Sequence, residues 1–414
     1  MTRDIAVDVL IVGGGPQGFW LLERLTHAGL SCLLIEKLGV GGGQAAHAEW
    51  FLHRGAVSRA TQSPNKAIPG ADYVNDLNDS AAKWETHLQS TPNGNSALQS
   101  HPTLYGFKLG RNLGWEKWCQ SRGIFIQRMR GVQRPGVSTF YRTNEVTVNP
   151  GPVFSDWLNR FPNHVVHVHD FTPVMYGGRV SSVQLHFTDR PDQDVSVGAV
   201  TVAAGAANRE LLEGKFAVPS NELDTVFREG MLLAIRGSSL TLPPENFCLL
   251  DSGHILIISR TDANQETMML VSTGDSWSKP DQPHPNNADW VWIRAIWSRL
   301  QQFVPALQSP QGLQFQISVG ELKYPTELKD PTLKPTARRP CKFSTPSNVI
   351  LVAPPRLTLA PCWADEALPL IQACLPLRPS VRQNMPTATH PPVTPHYEGL
   401  GFMAWNAFQA KYQL

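Results

Sequence analysis

The feature that most constrains this chain lies at its N-terminus. Val7-Asp8-Val9-Leu10-Ile11-Val12 is a short, apolar, β-branched run, the composition of a central strand in a parallel sheet. It leads directly into Gly13-Gly14-Gly15-Pro16-Gln17-Gly18, a G-x-G-x-x-G hexad. A helical stretch with apolar residues at Phe19, Leu22 and Leu25 follows and stops at Gly29. A second strand, Ser31 to Ile35, ends on Glu36. In this order the pieces form a dinucleotide-binding βαβ unit. Gly13 permits the tight turn, Gly15 lets the backbone approach a pyrophosphate, and Gly18 lets the helix pack closely on the strand. Pro16 and Gln17 open the helix, whose free N–H groups are donors for phosphate. Glu36, followed by Lys37, is placed to accept hydrogen bonds from a ribose, and its charge disfavours a 2′-phosphate.

A chain of 414 residues is long enough for two or three domains and for a core that encloses a cofactor. Only 17% of residues are charged and the net charge is +2, so no polyanionic partner is implied. The six cysteines are scattered, with no CxxC pair and no Cys/His cluster at zinc spacing. They read as reduced, buried thiols of a cytoplasmic protein with no metal site. The apolar run at the N-terminus passes into the glycine loop without a cleavage site, and no stretch approaches the length of a membrane span.

The stretch Gly41-Gly42-Gly43-Gln44-Ala45-Ala46-His47-Ala48-Glu49-Trp50-Phe51-Leu52-His53-Arg54-Gly55 resembles a segment of the D-amino-acid oxidase-like FAD oxidoreductases, nearest the glycerol-3-phosphate and L-2-hydroxyglutarate dehydrogenase branches. In those branches the segment runs under the flavin and pyrophosphate. Gly43, His53 and Gly55 match it, while Gln44, Ala45, Ala46 and Ala48 stand where it carries threonine and serines. Further matches follow in order. Asn144 to Pro150 and Phe154 to Arg160 resemble the lead-in to the cofactor domain's return, and His164 to Phe187 a strand and hairpin. In the family the position of Val174 touches the adenine through its backbone. The apolar strand Ala199 to Ala206, ending in Ala203-Ala204-Gly205, resembles a second cofactor-contacting strand. Asn348 to Pro361, with Arg356-Leu357-Thr358, resembles the final strand and turn. The helix after it, Cys362 to Cys374, would turn its positive end toward the flavin.

The resemblance implies an α/β protein with a Rossmann-like FAD-binding domain and an interleaved antiparallel-sheet substrate domain. Residues 1–60, 140–215 and 336–414 are expected in the first, and 61–139 and 216–335 in the second. Phe227 to Ser238, Phe247 to Arg260 and Thr267 to Thr273 read as the antiparallel sheet, and Asp289 to Phe303 as an aromatic helix whose tryptophans pack. Residues 61–105, rich in Asn, Ser and Pro, read as a solvated loop region with short helices, or a lid.

A single glycine hexad argues against a nicotinamide-dependent reductase, and the absence of CxxC against dithiol flavoenzymes. The resemblance therefore implies FAD, hydride transfer to its N5, and a small amine, amino acid or 2-hydroxy acid as substrate. His53 is the candidate base, or else a flavin contact. Arg338 and Arg339 stand where the family carries substrate-facing arginines, or form a surface basic loop. Two other readings stay open: a flavin monooxygenase or halogenase-like enzyme, and a binding protein that keeps the fold without turnover.

Overall fold

The computed structural model describes residues 5–56, 71–99, 102–107, 113–131, 137–223, 225–240, 245–250, 254–261, 267–276, 278, 282–327, 336–337, 339–375 and 401–414. They belong to two compact units, one within Met1–Ala46, Val153–Phe227 and Glu321–Pro395, the other within His47–Pro152, Arg228–Gly320 and His396–Leu414.

The first unit is built on the N-terminal βαβ. Strand β1 is Ile5–Val12, helix α1 is Pro16–His27 and strand β2 is Cys32–Glu36. β1 pairs in parallel with β2 on one side and with Gln193–Val202 on the other. Val165–His167 extends the parallel sheet beyond β2, and Val349–Leu351 extends it beyond Gln193–Val202. The hairpin Asp170–Tyr176 and Arg179–His186 adds antiparallel strands to Gln193–Val202. Both faces of β1 are buried, which is why its sequence is continuously apolar toward its end rather than alternating. On α1, Phe19 stacks on Trp157 of the helix Pro150–Arg160 with ring centroids 5.1 Å apart. Glu23 on the same helix accepts from Trp157 Nε1 at 3.0 Å and from Arg160 at 2.7 Å, which satisfies a nearly buried carboxylate.

The second unit carries a large, mostly antiparallel sheet. From Gln314–Glu327 it runs through Thr225–Arg236, Thr267–Thr273, His254–Thr261, Asn246–Leu250, Thr103–Phe107 and Thr139–Thr143 to Ile126–Met129. One pair, Asn246–Leu250 with Thr103–Phe107, is parallel. Alternation along Thr225–Arg236 separates the two faces. Met231, Leu233 and Ile235 join a core with Trp292, Trp297 and Phe408, whereas Leu232 and Ala234 face a second core with Phe51, Ala56 and Trp115. The helix Ala288–Phe303 covers the first face, so its tryptophans are packing residues. A small sheet joins Phe51–Leu52, Val146–Val148 and Leu98–Gln99.

Three expectations are corrected. Residues 71–90 are not short helices in a loop but one helix, Ala71–Ser90, with Val74, Leu77, Ala81, Trp84 and Leu88 buried. That spacing of three and four is an apolar stripe, obscured in the sequence by the polar residues between. The C-terminal residues 401–414 lie in the second unit, not with the cofactor fold. Met403 pairs with Phe315, and Trp405 of the helix Trp405–Tyr412 stacks on Trp297 at 5.1 Å. Residues 47–56 and 140–152 likewise fall within the second unit's span, because Phe51–Leu52 pairs with Val146–Val148 there.

Candidate functional site

At the carboxyl end of β1 the chain turns through Gly13 at φ +112°, a conformation that favours glycine. A Cβ on Gly13 would meet the Ala203 carbonyl oxygen at 2.7 Å, and one on Gly18 would meet the Gly13 carbonyl oxygen at 1.9 Å. α1 therefore approaches β1 as closely as its backbone allows. Gly15, by contrast, has nothing within 4 Å of where its Cβ would be. It caps α1 without any side-chain hydrogen bond, and Pro16 occupies the first turn. The result is an open helix N-terminus with unclaimed donors.

Other expected residues gather around this loop. Glu36 ends β2 and accepts from the backbone N–H groups of Gly14 and Leu38, each at 2.6 Å. Its two oxygens still have lone pairs for hydroxyl donors. Lys37 is exposed, and its carbonyl oxygen lies 2.8 Å from His167 Nε2. The Gly41 N–H donates to the Gly14 carbonyl at 3.1 Å, so the run leading to Gly43 folds back onto the hexad. Gly43 has open space where its Cβ would be, and Gln44 lies beside Gly205, which turns at φ +58°. Ala204 and Gly205 follow the carboxyl end of Gln193–Val202, and Arg356-Leu357-Thr358 follow that of Val349–Leu351. Arg356 and Leu357 are half-buried, Thr358 fully buried, and the helix Ala360–Gln372 begins two residues later. Ends of neighbouring parallel strands are where open α/β sheets bind ligands. Val174 stands apart from them, on the outermost strand at the bulge of Asp170–Tyr176, with its side chain 45% exposed.

Two buried amides show that this cradle suits a polar ligand. Gln17 is buried, and neither its Nε2 nor its Oε1 has a hydrogen-bond partner. Asn208, which the sequence reading missed, accepts from the Ala204 N–H at 2.7 Å through Oδ1, leaving a buried Nδ2 without a partner. Unpartnered buried polar groups cost roughly 1–3 kcal/mol each, a cost that a ligand's acceptors would remove. Those amides, the open space at Gly15 and Gly43, and the acid at the end of β2 fit a dinucleotide. The signal for Asn208 was its place four residues after Ala204, within reach of a turn's free N–H.

The catalytic candidates fall elsewhere. Arg339 pairs with Glu366 on the helix Ala360–Gln372, with both side chains partly exposed, and Arg338 lies outside the described residues. His53 belongs to the second unit, half-buried and edge-on to Phe51 at 4.6 Å. The turn after it is anchored by a residue that the sequence did not single out. Glu145, fully buried, accepts from the N–H groups of Arg54 at 2.7 Å and Ala56 at 3.2 Å, and from the Tyr105 hydroxyl. Burial pushes the Glu145 carboxyl up from its ordinary value, against the opposing effect of these donors. Arg260 is buried and donates to the Glu49 carbonyl, a structural contact. Among the described residues no group of His, Cys, Asp and Glu could hold a metal ion, and no helix is long and apolar enough to cross a membrane.

Comparison with known proteins agrees with this geometry. A probable FAD-dependent oxidoreductase of Pseudomonas aeruginosa, PA4991, is 43% identical over 90 residues, which is 22% of this chain and 22% of that protein. The aligned stretch thus spans about a fifth of the curated relative. The crystal structure of PA4991 superposes with a TM-score of 0.71 at 17% identity, covering 96% of this chain and 99% of that one. Glycine oxidase from Geobacillus kaustophilus gives 0.62 at 14%, covering 93% and 98%. L-α-glycerophosphate oxidase from Mycoplasma pneumoniae, with FAD bound, gives 0.61 at 13%, covering 94% and 100%. At these identities the structures show a shared fold. The family model described as FAD dependent oxidoreductase matches residues 8–351. With most of its length covered by that match, the chain belongs to the FAD dependent oxidoreductase family, a flavoenzyme of the D-amino-acid oxidase-like kind whose cofactor is FAD.

Proposed function

We propose that the chain oxidises a small amine, amino acid or 2-hydroxy acid. The observation that carries the reading is the cradle at the strand ends, with open space at Gly15 and two unpartnered buried amides. Gly13 to Gly18 and the N-terminus of α1 would hold the pyrophosphate of FAD, with Pro16 setting the first turn. Glu36 and Lys37 would meet the ribose, the Val174 backbone the adenine, and Gln17, Gly43, Gln44, Ala204, Gly205 and Arg356 to Thr358 the remainder. FAD, when bound, supplies a hydride acceptor at its N5.

The rest falls to the chain's own side chains. His53 would take the proton that leaves the substrate's nitrogen or oxygen, a general-base task for which an imidazole nitrogen is suited. A substrate carboxylate would be held by Arg338 or Arg339, and at Arg339 it would have to displace Glu366. That pair is partly exposed, so the exchange costs little. Alanine at 45, 46 and 48 removes hydroxyl donors from the segment after Gly43. Gln17 and Asn208 offer amide donors in the unit that holds Ala45 and Ala46.

The test is anaerobic bleaching of the flavin-loaded protein with glycine, L-amino acids, iminodiacetate, glycerol 3-phosphate and 2-hydroxyglutarate, followed by reoxidation in air. Bleaching by one of these identifies the substrate class. Flavin that is bound but reduced by none of them would favour a binding protein without turnover. Rapid reduction by NAD(P)H would favour the monooxygenase-like reading.

A further inference from the structure

We propose that Glu145 is a positioning residue that sets the geometry of His53 through the backbone of the turn after it. The proposal rests on the reading of His53 as the base. The ladder between Phe51–Leu52 and Val146–Val148 is antiparallel, with Phe51 opposite Thr147 and Leu52 opposite Val146. Continued one step, this register would set His53 opposite Glu145. Regular pairing ends there, and the carboxylate takes over the role of a ladder partner. Its Oε1 gathers the N–H groups of Arg54 and Ala56, which flank Gly55 at φ +103°.

Three further sets of contacts hold the turn. Trp115 Nε1 donates to the Ala56 carbonyl at 3.0 Å. The Arg54 guanidinium is paired with Glu85 of the helix Ala71–Ser90 at 2.6 Å. Glu145 is itself fixed on both sides, its carbonyl accepting from the Thr103 hydroxyl at 2.8 Å and its Oε2 from the Tyr105 hydroxyl. These contacts converge on the turn that follows His53, the residue read as the base. A fully buried carboxyl is a costly way to close a turn. It is an effective way to hold a neighbouring residue, since two N–H groups on one oxygen leave the turn a single backbone arrangement. Burial also keeps the carboxyl above its ordinary pKa, as is common where a fold serves chemistry.

The experiment uses flavin-loaded protein labelled with ¹³C at histidine Cε1, the His53 resonance being assigned by its loss in His53→Gln. Glu145→Gln keeps the oxygen that accepts both N–H groups, while Glu145→Leu removes it at similar volume. The expected result is a His53 shift and titration midpoint in Glu145→Gln that coincide with wild type, and a displaced or broadened signal in Glu145→Leu. With whichever compound of the panel bleaches the flavin, Glu145→Leu should lower the rate constant of reduction about 100-fold with little change in the half-saturating concentration. Should Glu145→Leu not fold, Trp115→Phe releases the Ala56 carbonyl of the same turn and should displace the His53 signal to a smaller degree. A His53 signal unchanged in folded, flavin-loaded Glu145→Leu, or in Trp115→Phe where that variant stands in, overturns the proposal. The base reading fails separately, if His53→Gln reduces its flavin at the wild-type rate.

Discussion

The glycine loop at the end of β1 and the turn after His53 are opposite solutions to one problem, fixing a short irregular stretch of backbone. The loop is shaped by atoms that are not there. Its closeness to Ala203 and its open face at Gly15 come from missing Cβ atoms, and Gly13 N–H and Gly14 N–H are taken by Ile35 and Glu36, both on the next strand. The turn is shaped by side chains that arrive from far along the sequence, Glu145 from 91 and 89 residues away and Trp115 from 59. One is therefore broken by adding a carbon and the other by removing an oxygen. A loop made of glycines can serve a ligand with its backbone, whereas a turn held by a distant acid can present one side chain.

The largest effect should come from adding that carbon. In Gly18→Ala the new Cβ would lie 1.9 Å from the Gly13 carbonyl oxygen, and backbone must move to relieve it. The purified variant should carry almost no flavin, as judged by the ratio of visible to ultraviolet absorbance. Gly15→Ala sharpens the comparison, because its Cβ meets no protein atom within 4 Å. Its apoprotein should melt like wild type, while FAD binding weakens by at least about tenfold, or about 1.4 kcal/mol. Wild-type flavin content in Gly18→Ala would show that the close approach of α1 is not needed.

A smaller and two-signed effect is expected at Gln17. Both of its amide atoms are buried without hydrogen-bond partners. Gln17→Leu should therefore stabilise the apoprotein by roughly 1 kcal/mol, since an unsatisfied group is replaced by an apolar one of similar shape. The same change should weaken FAD binding about tenfold if the amide serves the cofactor. Calorimetry on apoprotein and fluorescence titration with FAD read the two signs independently. Stabilisation without loss of affinity would assign the amide no part in the cradle.

The same contrast explains what was legible in the sequence. The loop could be read because its constraints are local: a strand, six residues, a helix and an acid lie within one short segment, each with its own signature. The helix Ala360–Gln372 was legible through Pro361 in its first turn, and the hairpin after Val165–His167 through the resemblance of His164 to Phe187. Helix Ala71–Ser90 was not, because asparagines, aspartates and serines outnumber the apolar stripe that buries Trp84 and Leu88. The C-terminal helix was assigned to the wrong unit for a different reason. Its partners, Trp297 and Phe315, are about a hundred residues upstream, and nothing local reports a pairing made at that distance. Glu145 carried no motif at all. Its role comes from a register between two short strands that only the folded chain brings together.

That register has a further, milder consequence in the pH dependence of stability. The groups coupled to Glu145 are Tyr105 on Thr103–Phe107, Arg54 in the turn, Cys248 on Asn246–Leu250 and Cys119 on Leu113–Ser121. Burial raises Tyr105 and both thiols as well, so they stay neutral through the ordinary range. Glu145 is the carboxyl among them. Its carboxyl is raised in the folded chain, so between its ordinary value near 4.3 and that raised value the folded state binds more protons than the unfolded one. Stability from this group is then fully present below about pH 4.3 and is lost as pH rises through the folded pKa. Asp170, lowered despite partial burial because Lys215 donates to it, acts in the other direction and at lower pH. Melting temperatures measured from pH 5 upward should therefore fall less steeply in Glu145→Gln than in wild type, because the amide does not ionise. Parallel melting curves for the two proteins would mean that Glu145 is already ionised in the folded chain at pH 5, and the turn would then be held by a charge rather than by a neutral acid.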